Sequence, residues 1–263
     1  MPRARFVPRQ AVAATGYVPN RAARSLVTRR TGTIALVVSG AGDEDETGRF
    51  PGQVLTDPFF GRVVGGIVGF LRPRGVHPLL MLAETADTRA QVLAHLRQGD
   101  ADGAVLVSTH ADDPLPSLLA EARLPAVLFA RPARPVPISY VDVDHRAGAK
   151  LAADHLLAQG RHDLVTISGP LDVPAGQARL AGFQDALAVL RHHGRTVPGD
   201  VAVVGFDDSS AATACRPPLT TVRHPVEDMA AELARLLLRH IERPDHPPTS
   251  VIFEPSLVVR GSA

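Results

Sequence analysis

Hydrophobic positions along the 263-residue chain fall into short unbroken runs that alternate with segments of helical spacing. The first run, TIALVV (33–38), is bounded by glycines and predicts a strand. FFGRVVGGIVGFLRPRG (59–75) follows, with apolar residues three and four apart, and stops at Gly75. HPLLMLAE (77–84), ADGAVLVS (101–108) and PAVLFA (125–130) repeat the strand pattern, with the helical TRAQVLAHLRQG (88–99) and DPLPSLLAEARL (113–124) between them. Each helix closes on Gly or runs into Pro, as helix stop signals require. Strands that are apolar throughout, separated by helices, predict a parallel sheet covered on both faces, which is a doubly wound α/β layer.

A second series begins after SYVDVDHRAGAKLAADHLLAQGR (139–161). DLVTISG (163–169) and DVAVVGFDD (200–208) predict strands around the helix AGQARLAGFQDALAVLRHHG (175–194). The short PLTTV, the amphipathic helix PVEDMAAELARLLLRHIE (225–242) and an extended TSVIFEPSLVVR complete the chain. The pattern therefore predicts two similar α/β lobes. SGAGDEDETGRFPGQVLTD (39–57) has the composition of a surface loop.

Composition changes this picture mainly through charge. The formal net charge of +1 hides an asymmetry. Residues 1–31 carry seven arginines and no acid, whereas the remainder carries 21 basic against 27 acidic residues. A cationic head on an acidic body suits an anionic polymer, although a solvated tail has the same composition. Cys215 is the sole cysteine, so no internal disulfide forms and no cysteine-based metal site exists. No stretch approaches the roughly 18 apolar residues of a spanning helix. The expectation is a cytoplasmic protein with no membrane association.

Candidate chemistry gathers where strands end. VVGFDDSS places Asp207 and Asp208 at the carboxyl end of a strand, the position at which open α/β sheets hold ligands. A carboxylate there can accept hydrogen bonds from hydroxyls, bind a cation, or cap the following turn. Arg179 opens the helix after 163–169 and could reach the same mouth, where a guanidinium fork suits hydroxyl, carboxylate or phosphate groups. Phe59 and Phe60 open the first helix and could flank a planar ligand or form a core pair. No serine stands in a G-x-S-x-G elbow, the eleven histidines are scattered, and metal-ligand spacing is absent. No catalytic group, cofactor or metal is expected, and the chain is not expected to be an enzyme.

The motifs GYVPNRAARSLVTRRTGTIALVV, DPFF, ISGP…RLAGF, VPGDVAVVGFDD, PPLTTVRHP and LVVR occur in this order from Gly16 onward. Together they resemble the LacI/GalR family of bacterial transcriptional repressors. The resemblance implies a helix-turn-helix headpiece joined by a hinge helix to two effector-binding lobes like those of periplasmic sugar-binding proteins. NRAARSL would be the hinge helix. Leu26 would be the wedge that enters the minor groove and kinks the duplex. Tyr17 and Asn20 would contact the DNA backbone, with Arg21 and Arg24 near phosphates. An isolated helix of this length is marginal in water, so it should order only with DNA and a dimer partner.

In the core, the resemblance places Phe59, Phe60, Arg179 and Asp207 around a cleft between the lobes. A small effector there, a sugar or nucleobase, would shift the lobe angle and with it the hinge helices. The implied partners are operator DNA, a small metabolite and a second copy of the chain in a homodimer. A small-molecule (sugar) binding module without DNA function is the alternative. Residues 1–15 supply at most the end of a headpiece helix, so residues 1–31 are expected to be a remnant headpiece and hinge. The helix ending RHHG also runs directly into RTVPGDVAVVGFDD, where the family has at least one more βαβ unit. The expected division is lobe one at 32–158 and 224–243, and an incomplete, less stable lobe two at 159–223 and 244–263 that holds an effector weakly or not at all.

Overall fold

A computed structural model of the chain describes residues 30–40, 58–108, 110, 112–161, 202, 204–214 and 218–263. The apolar runs form strands β1 (Thr33–Ser39), β2 (His77–Ala83), β3 (Ala104–Ser108), β4 (Ala126–Phe129) and β5 (Ser139–Val143). Between them lie helices α1 (Pro58–Leu71), α2 (Ala86–Gln98) and α3 (Leu115–Glu121). With β8 (Ser250–Phe253), these strands make a six-stranded sheet in the order β2-β1-β3-β4-β5-β8, parallel at every junction. The order reverses between β1 and β3, and such a switch point opens a crevice at the strands' carboxyl ends.

The pleat divides the core into two layers. Ile34, Leu36 and Val38 of β1 face the layer that contains Val63, Ile67 and Leu71 of α1 and Met229, Leu233 and Leu237 of helix α6 (Val226–Glu242). Ala35 and Val37 face Val92 and Leu96 of α2 and Leu115 and Leu119 of α3. Continuous apolar strands are thus explained by two covered faces. α1 and α6 approach so closely that a Cβ on Gly66 would lie 2.5 Å from the Glu227 carbonyl oxygen. Only glycine fits there.

α4 (His145–Ala158) follows β5, starting at Asp144, whose carboxylate accepts the Ala147 N–H at 2.8 Å. It packs on a second, three-stranded sheet in the order β6-β7-β9. These strands are β6 (Val204–Phe206), β7 (Thr220–Arg223) and β9 (Ser256–Val258), and the short helix α5 (Ser210–Ala214) follows β6. β6 and β7 are parallel, and β9 runs antiparallel to β7.

Two expected boundaries are corrected by this arrangement. Residues 145–158 sit on the small sheet, because Gly148 lets α4 lie against Phe206 and Val222. The extended run 249–260 is divided between the sheets: β8 pairs with β5, and only β9 joins β7. Glu254 and Pro255 stand at the break, where a residue lacking an N–H cannot continue a ladder. The chain therefore passes between the sheets at α4, at α6 and at residues 254–255.

Candidate ligand site between the two sheets

Four buried side-chain atoms have no hydrogen-bond partner among the described residues: Glu84 Oε2, Asp113 Oδ2, His145 Nδ1 and His224 Nε2. Each stands shortly beyond the carboxyl end of a strand, after β2, β3, β5 and β7 respectively. Buried polar groups are ordinarily paired, and leaving one unmade costs about 1–3 kcal/mol. Their common position makes the strand ends a place where a polar ligand would meet unsatisfied groups.

A cavity of about 250 Å³ opens beside one of them, Asp113, and is lined as well by Ser108, Phe129, Arg131, Arg134 and Asp142 among others. Asp113 is fixed through its other oxygen, which accepts the Ser39 hydroxyl at 2.9 Å and the Leu115 N–H at 3.0 Å. Burial on its own would raise the Asp142 carboxyl. The hydrogen bond and charge of His145, with the N–H groups of Val143 and Arg131, outweigh it and hold the group below the usual carboxylate range.

Aromatic rings join the two sheets behind this cavity. Phe59 meets Phe129 edge-on with centroids 5.3 Å apart. His224 lies 5.8 Å from Phe59, 5.6 Å from His145 and 6.4 Å from Phe206. Both imidazoles are buried, with 7% and 4% of His145 and His224 exposed. His224 Nδ1 is 3.0 Å from Asp207 Oδ1, which leaves Nε2 as the unsatisfied atom.

Arg62 ties the sheets together. Its guanidinium donates to Glu227 at 2.6 and 2.7 Å, to the Asp207 carbonyl at 2.6 Å and to the His224 carbonyl at 3.1 Å. The bidentate bond to Glu227 raises the Arg62 pKa against the opposing effect of burial, and it lowers that of Glu227. Asp207 and Asp208 both adopt positive φ, +82° and +49°. This conformation is uncommon outside glycine but tolerated by Asp, and it is found where a chain is held for a purpose. The Asp208 carboxylate is engaged by Arg260 at 2.7 Å and Arg223 at 2.9 Å.

The structure brings two of the expected site residues, Phe59 and Asp207, together around His224. Phe60, expected to line the cleft, turns into the core and is 6% exposed. Neighbouring positions on a helix point about 100° apart, so the two phenyls do not share a face. Arg179 lies outside the described residues, as do Tyr17, Asn20, Arg21, Arg24 and Leu26. Sequence reasoning missed Arg62, Asp113, Asp142, His145 and His224. The available signal was the strand-end rule: Asp142 stands in the last two residues of β5, and Asp113, His145 and His224 follow β3, β5 and β7.

Two lobes joined by three crossings, with unsatisfied polar groups at the strand ends between them, define a receptor of the periplasmic-binding-protein type. Residues 52–214 match the family model described as periplasmic binding proteins and sugar binding domain of LacI family, and residues 178–263 match a periplasmic binding protein-like domain. The HTH-type transcriptional regulator CelR of Thermobifida fusca is 35% identical over an alignment of 315 positions, covering 99% of this chain and 90% of the relative. That span exceeds the 263 residues available, so the relative has residues with no counterpart here. The ribose operon repressor of Escherichia coli K12 is 24% identical, over 96% of this chain and 88% of its own. Among solved structures, a transcriptional regulator CelR–cellobiose complex superposes with a TM-score of 0.72 at 33% identity, covering 97% of this chain and 89% of that one. The chain belongs to the LacI/GalR family of transcriptional regulators. Its relatives are regulators and not enzymes.

Proposed function

We propose that the chain is a LacI-type regulator in which a carbohydrate binds between the sheets and changes the contact of residues 1–31 with operator DNA. The observation that carries this is the set of four unpartnered buried atoms at Glu84, Asp113, His145 and His224. Carboxylates and imidazoles offer acceptors and donors to the hydroxyls of a sugar, and the edge of Phe129 in the cavity wall suits its apolar face. The cavity wall belongs to the large sheet; a ligand that extends from it to His145 and His224 touches both sheets, so its affinity depends on their angle, which is the requirement for a population shift.

Tyr17, Asn20, Arg21, Arg24 and Leu26 take the DNA contacts in this proposal, with Arg179 and Asp207 on the ligand. Homodimerisation belongs to it as well. β2 is an edge strand that exposes 39% of Leu79 and 44% of Leu80, and an apolar edge of this kind suits a second copy. No described helix is long and apolar enough to cross a membrane.

The test is thermal melting of the whole chain with a panel of sugars, beginning with cellobiose and ribose and including a purine base. A ligand that binds only the folded state raises the midpoint as its concentration rises. The Asp113→Ala and His224→Ala variants should retain the fold and lose the shift. A shift by the purine alone would replace the sugar assignment, and no shift with any compound would leave the site without its proposed role.

A further inference from the structure

At the pole opposite the ligand cavity, α1 and α6 end side by side and gather six arginines. Arg72 and Arg74 occupy the turn after α1, and Arg235, Arg239 and Arg243 lie on the last turns of α6 and its cap. Arg74 stacks 3.8 Å above the Phe70 ring, and Arg235 lies 5.4 Å from the same ring, which fixes the two helix ends together. Arg30 enters here: its guanidinium is 3.8 Å from Glu242 and 3.5 Å from the Ile241 carbonyl. The Gly32 carbonyl accepts the His77 N–H, so the chain passes directly beside the turn at 72–75.

The neighbouring acids are already committed or few. Glu232 binds Arg235, Glu242 faces Arg30, and Asp102 accepts the N–H groups of Thr31 and Gly32. Asp245 follows Arg243 two residues later. Arg72, Arg239 and Arg243 are exposed and have no ion-pair partner among the described residues. A helix dipole favours a cation in the last turn of each helix. It does not account for such a concentration on a body that carries 21 basic against 27 acidic residues beyond residue 31.

We propose that this arginine cluster is a second nucleic-acid contact, taking backbone phosphates that flank the duplex held by the amino-terminal segment. The proposal rests on the regulator function above. The arginine-bearing residues 1–29 join the core at this surface, so DNA bound by them lies against it. Phosphate contacts position a duplex without reading its sequence. They steepen the salt dependence of binding by about 0.9 in the log–log slope for each contact.

The experiment is duplex binding by the complete chain, followed by fluorescence anisotropy from about 50 to 200 mM salt. The triple variant Arg72→Gln, Arg239→Gln, Arg243→Gln should lower the slope by roughly 2–3 and weaken binding by the same factor on every duplex sequence. Lysine at the same three positions should restore the slope, because the effect depends on charge. Arg161→Gln, beyond α4, should leave it unchanged. A triple variant that melts like the wild type and keeps the wild-type slope overturns the proposal alone. A wild-type chain that binds no duplex removes the regulator function and this surface together.

Discussion

The two sheets are built on different terms. In the large sheet, β1, β3 and β4 are buried along nearly their whole length, and Leu36, Leu106, Leu115, Leu128, Leu233 and Leu237 are almost wholly inaccessible. In the small sheet every residue of β6 is only half-buried, and the described apolar cluster beneath it centres on Ala153 and Leu156. Among the described residues polar bonds supplement this packing: Asp208 joins Arg223 to Arg260, the Thr220 N–H donates to the Ser262 hydroxyl, and the Thr220 hydroxyl accepts the Arg260 N–H. Among the described residues, apolar burial dominates the large sheet, whereas directional bonds carry more of the small one. The proposed change of lobe angle on ligand binding draws on that inequality.

The largest expected effect tests the inequality directly. Leu233→Ala, in the layer between sheet and helices, should destabilise the chain by about 3–5 kcal/mol, and Leu156→Ala under the small sheet by about 2 kcal/mol. Denaturant unfolding followed by amide exchange should place the second loss in the small sheet and leave the large sheet's protection intact. If both variants move one common transition, the lobes form a single cooperative unit and the contrast fails.

The same substitution at two glycines sharpens the comparison. A Cβ at Gly66 meets backbone at 2.5 Å, so Gly66→Ala must separate α1 from α6 and should cost about 2 kcal/mol after the gain in helix propensity. At Gly148 the Cβ meets the Phe206 ring at 3.0 Å and a Val222 methyl at 3.1 Å, which can give way. Gly148→Ala should be nearly neutral, since strain of about 1 kcal/mol offsets a propensity gain of similar size. Thermal melting of the pair reads the difference. Of comparable size to the Gly66 effect, Arg62→Met removes the bonds to Glu227, Asp207 and His224 and should cost about 2 kcal/mol while separating the unfolding of the two lobes.

How much of this was legible in the residues follows from the same contrast. Unbroken apolar runs such as TIALVV and AVLF marked the large sheet because burial on both faces leaves a one-dimensional trace. The small sheet left less. TSVIFEPSLVVR reads as a single extended run, and only the Glu254–Pro255 break tells that its halves belong to different sheets. Asp207 and Phe59 were accessible from strand-end and helix-start rules. His145 and His224 also stand just past strand ends, but their meeting depends on β5 and β7 ending at the same cleft, which is a property of topology and not of spacing. Arg62 looked like any exposed helical cation. Its four bonds exist only because Gly66, one turn on, lets α6 come close.

The smallest effect concerns pH and belongs to the small sheet alone. Burial favours the neutral form of the Asp208 carboxyl, but the hydrogen bonds and charges of Arg260 and Arg223 outweigh it and hold the group below its ordinary value of 3.8. A carboxyl whose pKa is lower when folded binds fewer protons in the native state. Its contribution is therefore fully present above the unfolded value and disappears as pH falls through the folded one. Asp208→Asn keeps the size of the side chain and tolerates the positive φ, so it removes the charge without disturbing the turn. The variant should lose about 1 kcal/mol at neutral pH, where two charge-assisted bonds become neutral ones. From about pH 4 downward the gap should narrow, and it should close only once the pH is below the lowered folded value, where the wild-type carboxyl carries a proton as well. Denaturant midpoints from neutral pH downward check the convergence. A gap of constant size would mean that the substituted amide disturbs packing, and that the ion pairs are not what hold the small sheet against its half-buried strands.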